Sequence, residues 1–215
     1  MEMKQKYIVI EGPIGVGKTT LTRALAKRFG ARTVFEIVEE NPFLASFYQD
    51  RNKFAFQTQL FFLLSRFKQQ QDLFQQELFS QGTVSDYLFA KDRIFASITL
   101  DPNELALYER IYDMLGPRVM KPDLVIYLQA RMDVLLTRIK KRGREFERKF
   151  DADYLGELSR TYNDYFHRYD DTPLLIINTS DLDFVDNQAD FDELVRAIGS
   201  IKAGTHYYQP MGTRV

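Results

Sequence analysis

Tyr7-Ile8-Val9-Ile10-Glu11-Gly12-Pro13-Ile14-Gly15-Val16-Gly17-Lys18-Thr19 is the stretch whose reading decides the fold. Tyr7 to Glu11 is a short apolar run rich in β-branched residues, which suits a buried strand. Gly12 to Thr19 then fits G-x-x-x-x-G-K-[ST] and opens a helical stretch from Lys18 onward. A strand, a glycine loop and a helix in that order make a phosphate cradle. Glycines let consecutive N–H groups turn toward an anion, and the helix N-terminus adds positive potential. Lys18 is placed to reach the β- and γ-phosphates, and the Thr19 hydroxyl to face Mg²⁺. ATP or a related triphosphate with Mg²⁺ is the expected ligand, held by Gly12, Pro13, Ile14, Gly15, Val16, Gly17, Lys18, Thr19 and Thr20.

Outward from this loop, short β-branched runs alternate with longer helical stretches, the pattern of a parallel sheet with crossover helices. Strands are expected at Tyr7 to Glu11, Thr33 to Glu36, Thr83 to Asp86, Leu124 to Leu128 and Leu174 to Asn178. Helices are expected over Lys18 to Phe29, Asn52 to Leu78, Ala90 to Thr99, Pro102 to Met114, Met132 to Lys141, Ala152 to Tyr169 and Phe191 to Lys202. This is an α/β fold of the P-loop NTPase type, a parallel five-stranded sheet flanked by helices, with the second strand beside the P-loop strand. Residues 1–215 read as a single domain, and the tail 203–215 has no clear period and is left unassigned. Ligands of such an open sheet sit beyond the carboxyl ends of the strands, so the residues just after each strand carry the chemistry.

The bulk composition narrows the partners. With 29 Lys plus Arg against 30 Asp plus Glu, no global field draws the chain to nucleic acid or to an anionic membrane. A small-molecule partner is expected. The absence of cysteine excludes disulfides and thiolate metal sites and agrees with a cytoplasmic location. Met1 to Ile10 has too short an apolar run for a signal peptide, and no stretch reaches membrane-spanning length.

A kinase acting on a hydroxyl needs a carboxylate to take the proton. Glu36, Glu39 and Glu40 cluster at the end of the second strand, each also readable as a solvated turn acid. The helix after Asn52 carries Phe54, Phe56, Leu60, Phe61, Phe62, Leu63, Leu64 and Phe67, too apolar all round for a surface helix. Gln59 and Arg66 lie two turns apart on it and share a face. Arg66 among such neighbours needs a counter-charge. Asp86 ends the third strand, where an acid suits a Mg²⁺-bound water, and Asp92 follows as a partner for Arg66. Arg138, Lys140, Lys141, Arg142 and Arg144 surround Gly143, either as a solvated basic helix end or as an arginine-rich lid over about 138–150.

From about Tyr7 to Tyr169 the chain resembles the deoxynucleoside kinases, the family of deoxycytidine, deoxyguanosine and bacterial deoxyadenosine kinases. Glu36-Ile37-Val38 is similar to the family's E-P-V segment, which implies that Glu36 is the catalytic base. Gln59 and Arg66, in a helix running into Leu64-Ser65-Arg66, match its base-binding pair, with Gln57 as the rival position. Tyr48 falls where a tyrosine holds the sugar 3′-hydroxyl. Asp86-Tyr87-Leu88 followed by Lys91-Asp92-Arg93 resembles D/E-R-S followed by S-D-R, but the arginine of the first motif is replaced by Tyr87. Asp86 keeps the metal-side role, and Asp92 matches the aspartate that holds the base-binding arginine. Arg138 to Arg144 followed by Glu147 is similar to R-x-x-x-R-G-R-x-x-E, which implies transition-state roles for Arg138, Arg142 and Arg144 and a 3′-hydroxyl contact for Glu147. The resemblance implies phosphoryl transfer to the 5′-hydroxyl of deoxyadenosine, deoxyguanosine or deoxycytidine by a homodimer. Two alternatives stand beside it. A thymidylate-type monophosphate kinase would need cations around an acceptor phosphate, and between Glu36 and Gln81 only Arg51, Lys53, Arg66 and Lys68 are cationic. A non-catalytic ATP sensor would tolerate the missing motif arginine.

Overall fold

The computed structural model describes residues 6–38, 40–76, 82–144, 152–182, 184 and 187–208. Its centre is a six-stranded parallel sheet. The strands are β1 (Tyr7–Glu11), β2 (Arg32–Val34), β3 (Thr83–Ser85), β4 (Leu124–Gln129), β5 (Leu174–Asn178) and β6 (Thr205–Tyr208), in the order β2-β3-β1-β4-β5-β6. The helices are α1 (Lys18–Phe29), α2 (Leu44–Gln49), α3 (Arg51–Gln76), α4 (Lys91–Thr99), α5 (Pro102–Leu115), α6 (Met132–Arg142), α7 (Ala152–His167) and α8 (Gln188–Ser200).

Side chains alternate across the sheet because the strand period is two. Ile8, Ile10, Val84, Leu124, Ile126, Leu128, Leu175 and Ile177 pack on one face with Leu21 and Leu25 of α1, Leu135 of α6 and Leu194 of α8. Tyr7, Val9, Val125, Tyr127, Leu174 and Ile176 pack on the other with Ile94 of α4 and Leu158, Tyr162 and Phe166 of α7. With both faces covered, the central strands are apolar almost throughout, as a parallel sheet requires.

Several details differ from the sequence reading, among them helix α2, where none was expected. A sixth strand, β6, occupies part of the tail that showed no period; its Thr-His-Tyr-Tyr sequence is mostly exposed and is held by pairing to β5 rather than by an apolar face. The second strand does not lie beside the P-loop strand, because β3 stands between them. Finally, β2 stops at Val34: the Glu36 N–H leaves the ladder and donates to the Asp86 carboxylate at 2.8 Å. That exchange puts Asp86 between the phosphate loop and Glu36. Among the described residues no helix is long and apolar enough to cross a membrane.

Candidate active site

At the carboxyl end of the sheet the glycine loop leaves β1 under tight local control. Gly12 has φ 151°, and a Cβ there would lie 2.4 Å from the Leu128 carbonyl oxygen of β4. At Gly15, φ 85°, a Cβ would meet Ile139 of α6 at 2.7 Å. No other residue type fits either place. Glu11 fixes the loop from below: its fully buried carboxylate accepts from Gly12 N at 2.8 Å and Tyr162 Oη at 3.1 Å through one oxygen, and from Leu88 N at 2.8 Å through the other. Lys18 Nζ donates to the Gly12 and Pro13 carbonyls at 2.6 and 3.1 Å, the position of a side chain wrapped around its own loop. Burial, and next the ammonium of Lys91, bring the Lys18 pKa down to about 8 against the pull of Glu11, Glu36 and Asp86.

Thr19 Oγ1 donates to Asp86 Oδ2 at 2.6 Å, so a hydroxyl and a carboxylate converge beside the loop. The described residues contain no cluster of three or more His, Cys, Asp or Glu side chains that could cage a metal. A hydroxyl and one carboxylate suit Mg²⁺, a hard cation that keeps waters and phosphate oxygens among its ligands.

The loop, the end of β2, α2, α3 and α4 enclose a cavity of about 360 Å³. Its lining includes Lys18, Thr19, Glu36, Arg66, Asp86, Lys91, Arg142 and Arg144, together with Tyr48, Gln59, Phe47, Phe62 and Tyr154. Leu44, Phe47, Ala55, Phe62 and Tyr154 form one buried cluster, which explains why α3 is apolar on more than one side. Gln59 is buried and faces the cavity, whereas Gln57 is exposed, so the structure separates the two candidates. The Gln59 amide donates to Thr99 Oγ1 at 3.2 Å.

Arg66 pairs with Asp92 through Nη1, as its burial demanded. It also engages Glu36: Nε lies 3.1 Å from Oε1, and Nη2 contacts the same oxygen. Lys91 Nζ sits 2.5 Å from Glu36 Oε2. Burial pushes the Glu36 carboxyl up, but Lys91 and Arg66 outweigh it and hold the pKa well below the usual carboxylate range. Asp92 is fully buried behind Arg66 and does not itself line the cavity; burial raises its pKa to about 6 against the pull of Arg66, and Oδ2 has no hydrogen-bond partner.

The basic cluster divides. Arg142, the last residue of α6, and Arg144 reach the cavity. Arg138 does not. Its guanidinium donates to Val16 O at 3.2 Å, Thr179 Oγ1 at 3.1 Å and Thr179 O at 2.9 Å, tying α6 to the loop and to the end of β5. Glu147 and the rest of the lid segment, like Glu39, lie outside the described residues. Sequence reasoning passed over Glu11 and Lys91. A glutamate closing an apolar strand and a lysine preceding Asp92 were the available signals, and neither reveals what it faces until the chain is folded.

The deoxynucleoside kinase family profile matches residues 8–202. The chain belongs to the deoxynucleoside kinase family. It is 41% identical over 193 residues to a deoxyguanosine kinase of Bacillus subtilis, covering 87% of this chain and 93% of that one. To the deoxyadenosine/deoxycytidine kinase of the same organism it is 32% identical over 206 residues, covering 92% and 94%. The structure of deoxyadenosine kinase from M. mycoides with bound dATP superposes with a TM-score of 0.78 at 27% identity, covering 91% of this chain and all of that one. The chain is therefore a deoxynucleoside kinase, a phosphotransferase, and neither a monophosphate kinase nor a sensor is favoured.

Proposed function

We propose that this kinase transfers the γ-phosphoryl group of ATP to the 5′-hydroxyl of deoxyadenosine, deoxyguanosine or deoxycytidine, with thymidine a poor substrate, in nucleotide salvage. The observation that carries the reading is one cavity lined by Lys18 and Thr19 of the phosphate loop, by Glu36, and by the Gln59 and Arg66 pair. Glu36 accepts the 5′-hydroxyl proton, the 5′-oxygen bonds to the γ-phosphorus, and the bond from that phosphorus to the leaving ADP oxygen breaks. Thr19 and Asp86 would hold Mg²⁺, which when bound offsets negative charge on the phosphates. Arg142 and Arg144 meet charge that develops during transfer. Tyr48 and Glu147 are the proposed contacts to the sugar 3′-hydroxyl, and a cytoplasmic homodimer is the state that the family likeness suggests.

A hydroxyl acceptor suits the cations better than a phosphate acceptor does. Arg66 is already matched by Asp92 and Glu36, Arg51 stacks on Tyr154 at 4.2 Å, and Lys53 lies over Phe54 at 5.4 Å. On nucleoside binding Arg66 turns from Glu36 to the base and keeps Asp92 as its anchor. It then donates to the ring acceptor of cytosine or to the N7 side of a purine, held in place by Asp92 buried behind it. Thymine presents a ring N–H where cytosine has an acceptor, so two donors would oppose each other, a mismatch of about 1–3 kcal/mol. Turnover of the four deoxynucleosides and their monophosphates with Mg-ATP tests the proposal. Phosphorylation of dA, dG or dC, with monophosphates inert, is expected; best activity on thymidine would show that the pair does not read the base.

A further inference from the structure

Glu36 meets cations on both of its oxygens, and the two cations are not equivalent. Arg66 reaches Oε1 from α3 and carries Asp92 as a second partner. Lys91, the first residue of α4, reaches Oε2. Lys91 is only 6% exposed, and an ammonium at that depth is costly unless it is paired. Its charge also presses on Lys18, so it stands close to both the carboxylate and the phosphate lysine while lining the cavity between them. Tyr87, where the motif arginine is missing, is fully buried against Val34 and Leu73 and does not line the cavity, so it brings no charge to this place.

We propose that Lys91 is the positioning residue for the base: it pins Glu36 Oε2, so that Oε1, once Arg66 turns to the nucleobase, is the oxygen presented to the 5′-hydroxyl. The inference rests on the reading of Glu36 as the proton acceptor. In that step the 5′-O–H bond breaks, its proton passes to Oε1, and the new O–P bond forms as the bond to ADP breaks. Arg66 can leave Glu36 because Asp92 retains it; Lys91 is the cation that stays. Glu36 is faced by Lys91 and Asp92 from α4, Arg66 from α3 and Lys18 at the end of the loop, and its backbone N–H donates to the Asp86 carboxylate. Of these, Lys91 is the cation that fixes the carboxylate without being called away by the base.

The test combines Lys91→Met, Lys91→Arg and Glu36→Gln, with kcat, KM for the preferred deoxynucleoside and for Mg-ATP, deoxynucleoside binding by calorimetry, and thermal melting. Lys91→Met is expected to lower kcat about 100-fold with each KM within about threefold, and Lys91→Arg to bring kcat back to within about tenfold of the parent. Added to Glu36→Gln, Lys91→Met is expected to cost less than about threefold more, because nothing is left to position. A merely structural lysine would give additive losses. Unchanged kcat in Lys91→Met, full additivity with Glu36→Gln, or a loss of binding that matches the loss of rate each overturns the proposal. Should Lys91→Met not fold, Lys91→Gln takes its place in the cycle, and failure of both to fold assigns Lys91 to structure and overturns it equally. Parent protein inactive on every deoxynucleoside would instead sink the proposed function, and active Glu36→Gln would sink the assignment of the base.

Discussion

The phosphate loop is made by consecutive residues from Glu11 to Thr19, held by backbone angles and close approaches around Gly12 and Gly15. The rest of the cavity draws Glu36 from beyond β2, Gln59 and Arg66 from α3, and Lys91 from α4, with Asp92 buried behind Arg66, residues separated by tens of positions and most of them joined by charge. A contiguous loop is specified by local conformation, so its parts are visible as a spacing. An assembled pocket is specified by which charges meet, so its parts are visible only as residue types that need partners.

The largest expected effect tests whether the assembled end carries the chemistry. Glu36→Gln keeps the size of the side chain and removes the proton acceptor, so kcat is expected to fall by about two to four orders of magnitude with deoxynucleoside binding retained. A dead Glu39→Gln beside an active Glu36→Gln would move the base. Next, the two faces of the basic cluster separate. Arg142→Ala, which lines the cavity, is expected to lower kcat by roughly 10²–10³-fold with little change in melting temperature. Arg138→Ala instead is expected to lower melting temperature and weaken Mg-ATP, because it unties α6 from the loop and Thr179. Equal kinetic losses with unchanged melting would return Arg138 to the transition state.

The contiguous end is tested by Gly12→Ala. A Cβ 2.4 Å from the Leu128 carbonyl forces the loop to shift, so Mg-ATP binding is expected to weaken by about 30–100-fold while deoxynucleoside binding changes by less than about threefold. Equal loss at both ends would mean that the two regions are built as one. The smallest effect concerns Arg66→Met: KM for the preferred deoxynucleoside is expected to rise about tenfold and the gap to thymidine to narrow, since the guanidinium that reads the base and its hold on Asp92 are lost together. A large fall in kcat at constant KM would instead place Arg66 on Glu36 throughout the reaction.

By itself the sequence determined the phosphate loop and the alternation of strands and helices, because a glycine spacing and short β-branched runs are local signatures, and it marked Arg66 as a charge in an apolar helix that needs a partner; Glu36 among three glutamates, Gln59 beside Gln57, and the roles of Asp86 and Asp92 came from the family resemblance. Only the tertiary structure decided that β3 stands between β1 and β2, which sets Asp86 between Thr19 and Glu36. It also decided that Gln59 faces the cavity while Gln57 does not, that Arg138 is tied to backbone, that Thr205–Tyr208 is a strand, and that Lys91 reaches Glu36. The physical reason is common to these. Strand order, edge pairing and the partner of a buried charge are fixed by contacts between distant segments, whose local sequence is compatible with several neighbours until packing selects one.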